Sequence, residues 1–279
     1  MRSLWQRVPV IIRAVLTGAM VAAAGTIPWA LVAAANQKFL PSVPWAAALT
    51  ALYLWLLWRY LQGEGWPRST AEARRTNLRA NRLSDDVWGA ALVAGVLGLV
   101  GIVLLLRVMS RLAALPYEQV PDISQIPPVT LVSLLLMGPV VAGVVEEASF
   151  RGYMQGPIEQ RHGPVVAILV TGTLFGFAHF THPEVTLVLM PYYLAVAAVY
   201  GALAYLTNSI WPSLVLHAGG NLLSSMGLLA GQGITSPSPA PPIWETGADA
   251  SFWISSVAFL IVGAATVWAY ARLASVVRR

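Results

Sequence analysis

Val144-Val145-Glu146-Glu147-Ala148-Ser149-Phe150-Arg151 sets two adjacent carboxylates and an arginine inside an apolar run that extends from Val129 to Arg161. A run of that length and character reads as a membrane-spanning helix. Charges at membrane depth are costly, rare and usually functional, so an activity is sought here first. On a helix, Glu147 and Arg151 are four residues apart and share a face, acid before base, the favourable order for an ion pair. Glu146 then lies about 100° further round, with no obvious local cation.

The rest of the chain supports a membrane reading. Of its 279 residues, 57% are hydrophobic and 10% charged, and the mean hydropathy of +0.67 is too high for a soluble domain of this length. The fold class is therefore all-α, a polytopic membrane helix bundle of about eight transmembrane helices. The absence of cysteine removes disulfides and thiolate metal ligands. A net charge of +5 reflects the basic loops of a membrane protein, and no nucleic-acid partner is expected. Only Lys38 among the 17 Lys and Arg residues is lysine, the bias of a GC-rich bacterial genome, which points to a bacterial inner (cell) membrane.

Taken in order, spans are expected over 14–35, 45–58, 87–106, 129–161, 163–180, 185–206, 214–229 and 251–271. Ser84, followed by Asp85 and Asp86, is a candidate N-cap for the third. Between the second and third spans, residues 59–86 interleave Arg59, Arg68, Arg74, Arg75, Arg79 and Arg82 with four acids. This is an ordinary cytoplasmic loop or, alternatively, a surface for anionic lipid or a partner. With both termini cytoplasmic, most of the arginines fall inside, and Glu118, Asp122, Glu184, Glu245 and Asp249 fall outside, as the positive-inside rule requires. Proline-rich connectors are expected over 107–128 and 231–249, with a short His182-Pro183-Glu184 link. Three regions follow, all within one integral membrane domain: 1–128 with three spans, 129–232 around the charged stretch, and 233–279 with the outer Pro-rich loop and the last span.

Two further elements join the charged stretch. Glu146 lies as far before the turn Arg161-His162-Gly163-Pro164 as His179 lies after it. In an antiparallel helical hairpin both would sit roughly 25 Å from that turn. The span after Trp211-Pro212 carries His217-Ala218-Gly219-Gly220-Asn221, where His217 and Asn221 share a face and the two glycines would admit a neighbouring helix. Individually these features are also what helix packing uses. Together, Glu146, Glu147, Arg151, His179, His217 and Asn221 meet the needs of hydrolysis inside a membrane: a base for water, a second group to orient it, and donors for an oxyanion. Glu146, desolvated and without its own cation, is the candidate base. A zinc ion held by Glu146, His179 and His217 is the alternative, since two His and a Glu are a catalytic zinc set.

Glu146-Glu147 with Arg151, Phe175 with His179, and His217 with Asn221 resemble the motifs EExxxR, FxxxH and HxxxN of the CAAX-protease and bacteriocin-processing (CPBP, or ABI) family of intramembrane proteases, over about Val129 to Leu223. The resemblance implies an intramembrane endopeptidase, type II CAAX prenyl endopeptidase-like, in which 129–232 is the catalytic core and a peptide or membrane protein is the substrate, met among membrane lipids. It implies that Glu146 is the general base, His179 its partner on the water, His217 with Asn221 the oxyanion site, and Glu147 with Arg151 the support. Both glutamic and metal-dependent mechanisms have been described for the family, and the motifs are compatible with either. No HExxH, GxGD or GxSG motif supports another class of intramembrane protease. Competing readings are a catalytically silent membrane scaffold or immunity protein on the same fold, and a transporter using Glu146, Glu147 and His179 as a proton relay, for which inverted repeats are lacking.

Overall fold

A chain in hydrocarbon has no water to satisfy its N–H and C=O groups, so each apolar run must close its own hydrogen bonds as helix. The computed structural model obeys this throughout, and no strand occurs among the described residues, 4–115, 123–181, 186–229 and 241–278. The helices are α1 (Leu4–Arg7), α2 (Val10–Lys38), α3 (Trp45–Leu61), α4 (Ala71–Leu78), α5 (Asp85–Leu112), α6 (Pro128–Glu146), a π-helical segment (Glu147–Gln155), α7 (Gly156–His162), α8 (Pro164–Ala178), α9 (Met190–Thr207), α10 (Trp211–Leu229), α11 (Ile243–Thr246) and α12 (Ala250–Val277). The protein is all-α, as the composition requires.

Each expected span falls on helix over nearly all of its described residues, with Gly163 and Thr186 outside it. Among the described residues, five helices are long and apolar enough to cross a membrane: Val10–Lys38, Asp85–Leu112, Pro128–His162, Leu187–Thr207 and Ala250–Val277. Of the others, α8 is apolar but has only 15 residues, α3 has 17, and α10 is interrupted by Ser213, His217 and Asn221. The 107–128 connector starts later than expected, because α5 stays helical through Arg107 to Leu112; its residues 116–122, residues 231–240 of the later connector and the whole His182-Pro183-Glu184 link lie outside the described residues.

The chain divides into two compact units. The first comprises 1–81, 120–167 and 213–234. Its α2–α3 corner is closed by Asn36, fully buried, whose amide donates to the carbonyls of Leu40 at 2.9 Å and Val43 at 2.8 Å and accepts from Ala46 N–H at 3.0 Å. The Thr130 hydroxyl donates to Pro41 O at 2.6 Å, which ties the start of α6 to that corner. Glycines then bring α2 against the segment that matters: a Cβ on Gly25 would stand 2.2 Å from Val145, and one on Gly18 2.2 Å from Met154.

The basic stretch 59–86 is not simply a solvated loop. Arg74 and Arg79 are each only 5% exposed. Arg74 donates to Tyr60 O at 2.7 Å and Glu64 O at 2.9 Å and lies over the Tyr60 ring. Arg79 ends α4 in the left-handed region, φ 55, and pairs with Glu159 through both amino groups at 3.2 and 3.3 Å. These two cations fasten α4 to the rest of the first unit, while Arg59, Arg68, Arg75 and Arg82 remain exposed. The sequence shows the charges but not which of them fold inward to find carbonyls and a carboxylate.

The second unit comprises 82–119, 168–212 and 235–279. Its frame is the antiparallel pair α5 and α12, with α9 packed on it. Gly98 lets Val199 approach so closely that a Cβ would meet it at 2.8 Å, and Tyr270 donates to Val199 O at 2.7 Å. Ser84 occupies the N-cap position of α5, but its hydroxyl makes no capping hydrogen bond. Asp249 does cap α12, accepting from Phe252 N–H at 2.8 Å. Its other oxygen takes a hydrogen bond from Arg111 at 2.8 Å, and Arg111 also donates to Pro241 O at 3.0 Å.

The hydrogen bond from Arg111, aided by the Phe252 amide, holds the Asp249 carboxyl below the usual carboxylate range. A depressed folded-state value means that the tie contributes stability above the ordinary range of aspartate and loses it as pH falls through the depressed value. Asp249→Asn keeps an N-cap but removes the charge. The thermal midpoint of Asp249→Asn in detergent is expected to lie below that of wild type at neutral pH, and the gap to close as the pH is lowered into the acid range. A gap that persists at low pH would show that the carboxylate charge is not what matters.

Candidate active site

Pro128–His162 is one continuous 35-residue helical run, but its middle is not α-helix. From Glu147 to Gln155 the backbone widens to a nine-residue π-helix, a rare form whose appearances cluster at functional sites. All nine of its residues are buried. On the α4 side, Gly152 has no room for a side chain, since a Cβ would stand 2.8 Å from Asn77 O and 3.1 Å from Leu78 O. The Tyr153 hydroxyl donates to Arg74 O at 3.2 Å. The widened turn is thus held by backbone on one side and by Gly18 of α2 on the other, with Gly25 against Val145 just before it.

The partner helix is α10, and again a glycine sets the distance. A Cβ on Gly143 would lie 2.8 Å from Ala218 Cβ and 3.1 Å from its Cα and N. Ala218 adjoins His217, so this approach delivers the imidazole to the carboxylates. At the glycines expected to admit a neighbour, Gly219 and Gly220, an added Cβ would meet nothing within 4 Å among the described residues. The close contact is made by the glycine on the opposite helix, and α10 keeps bare backbone beside Asn221.

His217 lies between the two carboxylates. Its Nδ1 stands 2.8 Å from Glu147 Oε1, and its Nε2 stands 3.7 Å from Glu146 Oε2. Glu147 has no exposed side-chain surface and also faces Arg151, with Nη1 3.5 Å from the same Oε1. The expected acid–base pair exists, although the backbone joining its members is π rather than α. Ser213, fully buried one turn before His217, interacts with the Glu147 carboxylate as well. A carboxylate buried this completely is tolerable only when paired and hydrogen-bonded, and breaking such a pair costs about 3–5 kcal/mol.

The two adjacent glutamates are therefore unlike. Glu147 is buried and bonded, whereas the Glu146 side chain keeps 26% of its surface exposed and its Oε2 makes no hydrogen bond among the described residues. Because a carboxylate only accepts, the 2.8 Å contact requires His217 Nδ1 to carry the proton, and Nε2 is the nitrogen turned toward Glu146. Asn221 lies one turn beyond His217 on α10, half-buried. Glu146, Glu147, Arg151, His217 and Asn221 all belong to the first unit.

His179 belongs to the second unit, at the start of the 3-10 turn that follows α8. Its Nδ1 donates to Phe175 O at 2.7 Å, so in the neutral ring Nε2 carries the lone pair. The ring is packed against Phe175 at 4.6 Å and Tyr193 at 4.7 Å between centroids. Among the described residues no group of three or more His, Asp or Glu side chains is placed to hold a metal ion. Within the first unit, Glu147 and Nδ1 engage each other and leave Glu146 with Nε2, two donors where a catalytic zinc takes three from the protein.

Sequence reading did not single out Ser213, Gln155 or Glu159. All three were visible as continuations of a four-residue spacing: Ser213 precedes His217 by four, and Gln155 and Glu159 extend the row begun by Glu147 and Arg151. Gln155 donates to Glu159 at 3.1 Å, and Glu159 receives Arg79.

Residues 128–223 match the family model described as type II CAAX prenyl endopeptidase Rce1-like. The match takes in the three motifs and the parts of both helices that carry the carboxylate–imidazole cluster, and over this segment the chain is similar to the CAAX-protease family. No curated protein and no solved structure matches the chain.

Gly143→Ala tests whether close approach assembles the cluster. The new methyl meets backbone atoms of α10, which cannot rotate away, so an overpacking cost of about 1–3 kcal/mol is expected, opposed by up to about 1 kcal/mol of helix propensity. Thermal unfolding in detergent should show the loss, with partial recovery in Gly143→Ala combined with Ala218→Gly. An unchanged midpoint in the single variant would show that the helices have slack at this position.

Proposed function

We propose that the protein is an integral membrane endopeptidase of CAAX-protease type, in which water attacks a substrate peptide bond beside Glu146. The observation that carries this reading is the difference between the two glutamates. Glu147 is wholly occupied in holding His217 and Arg151, while Glu146 is partly exposed with a buried oxygen that makes no hydrogen bond among the described residues. Pairs of ionisable groups in such contrasting environments divide into a structural member and a chemical one.

In this mechanism Glu146 takes the proton of the attacking water as its oxygen bonds to the carbonyl carbon, and later returns it to the leaving amine. Glu147 fixes the orientation of the His217 ring through Nδ1, as a carboxylate behind an imidazole does in other hydrolases. In the imidazolium form, Nε2–H donates to the oxyanion of the tetrahedral intermediate, and the Asn221 amide supplies a second donor from the same helix face. Gly220, where an added Cβ would meet nothing within 4 Å among the described residues, leaves room for a peptide beside that face. At His179 the tautomer fixed by Phe175 O leaves Nε2 as a hydrogen-bond acceptor, and it is the resemblance to the family that assigns His179 to the water. Arg151 contributes by neutralising Glu147, and touches no reacting atom. The substrate is a peptide or membrane protein, reached within the bilayer.

Glu146→Gln preserves shape and removes the base. General-base catalysis contributes about 10²- to 10⁴-fold, so proteolysis should fall by that factor while folding is retained. New protein N-termini in membranes would be compared among cells carrying wild type, no protein and Glu146→Gln. Termini specific to wild type are expected, and the residues flanking them would give the specificity. Complete rescue of a deletion phenotype by Glu146→Gln, with no wild-type-specific termini, would replace the protease with the scaffold reading.

A further inference from the structure

Away from the carboxylate cluster and wholly within the second unit, a groove of about 540 Å³ opens between the first turns of α5 and the last turns of α12. Ser84, Asp86, Gly89 and Val93 line one wall, and Trp268 and Arg272 the other. The volume is that of a small-molecule site. Both helices have 28 residues, about 42 Å at 1.5 Å per residue, which matches a bilayer with its headgroup regions. With Arg111 and Asp249 joined at the opposite end of the pair, the groove stands at the headgroup level of one leaflet. Trp268, 67% exposed and one turn inward from Arg272, is the kind of residue that sits at that boundary.

The charges in the groove define its occupant. Asp86 and Arg272 both line it, and among the described residues neither is in an ion pair or a side-chain hydrogen bond. Two opposite charges that share a groove without joining each other suit a ligand that carries both signs. Below them the lining turns apolar at Gly89, Ala90 and Val93, where a hydrocarbon chain would follow. Gly89 faces open space, since a Cβ there meets nothing within 4 Å.

We propose that this groove binds a zwitterionic aminophospholipid, with its phosphate on Arg272, its ammonium on Asp86 and an acyl chain running along Gly89 and Val93. Arginine pairs with phosphate oxygens through parallel N–H donors. A primary ammonium donates to a carboxylate, which a quaternary one cannot do. The Ser84 hydroxyl, unused as a cap, is available to the phosphate. This site does not depend on the proposed protease activity.

The test uses the full chain, purified in detergent, exposed to equal amounts of phosphatidylethanolamine, phosphatidylcholine and phosphatidylglycerol with matched acyl chains, with retained lipid counted by native mass spectrometry. Phosphatidylethanolamine should be retained in preference to both others. Asp86→Asn should reduce its retention by about tenfold, the loss of one charge-assisted hydrogen bond, and should leave phosphatidylglycerol unaffected. Arg272→Gln should reduce retention of all three. Gly89→Leu places a Cβ where nothing stands within 4 Å, extends into the groove and improves helix propensity, so it should fold normally, verified by helicity and elution volume, and still lose the lipid. Equal retention of the ethanolamine and choline lipids, a preference for phosphatidylglycerol, or undiminished binding by Gly89→Leu would each overturn the proposal.

Discussion

The carboxylate of Glu147, with no exposed surface, is the constraint from which the first unit is built. An ionised group in that position is sustained only by compensation on several sides, and the structure supplies it from two helices: Arg151 from its own segment, His217 and Ser213 from α10. Each partner implies a packing demand. Arg151 is carried by the widened π turn, which packs against Gly18 of α2 and, at Gly152, against the backbone of α4. His217 requires Gly143 to give way to Ala218.

The same carboxylate explains why its neighbour differs. A single turn of backbone cannot bury two adjacent acids among the same cations, so Glu146 is turned toward Nε2 with part of its surface open. Adjacent identical residues thereby acquire different tasks through geometry alone. The polar row continues through Gln155 and Glu159 to Arg79, so the basic stretch after α3 is bound into the core that holds the cluster.

Much of this was legible from composition and spacing. Long apolar runs, proline-marked turns and charges out of place gave the helices, the Gly163 turn with its φ of 82, and the group Glu146, Glu147, Arg151 and His217. The π segment was not legible, because a four-residue spacing fits both an α turn and a wider one, and only packing decides between them. Nor could the sequence say which glycines receive a neighbour: Gly219-Gly220 looks like a contact motif, yet the approach occurs at Gly143. The inward arginines, Arg74 and Arg79, were hidden for a related reason, since a basic loop and a basic clamp have the same letters until their acceptors are known.

The pairing of Glu147 with His217 spans 70 residues of chain. During synthesis at about 5–20 residues per second, α6 and the π segment precede α10 by roughly 4 to 14 seconds. In that interval Glu147 has Arg151 beside it but lacks the imidazole, and a charge so exposed to lipid is costly. The nascent segment therefore has reason to stay in the insertion machinery, or at the aqueous boundary, until α10 arrives. The contact that shapes the polar cluster is thus also the last of its parts to be made.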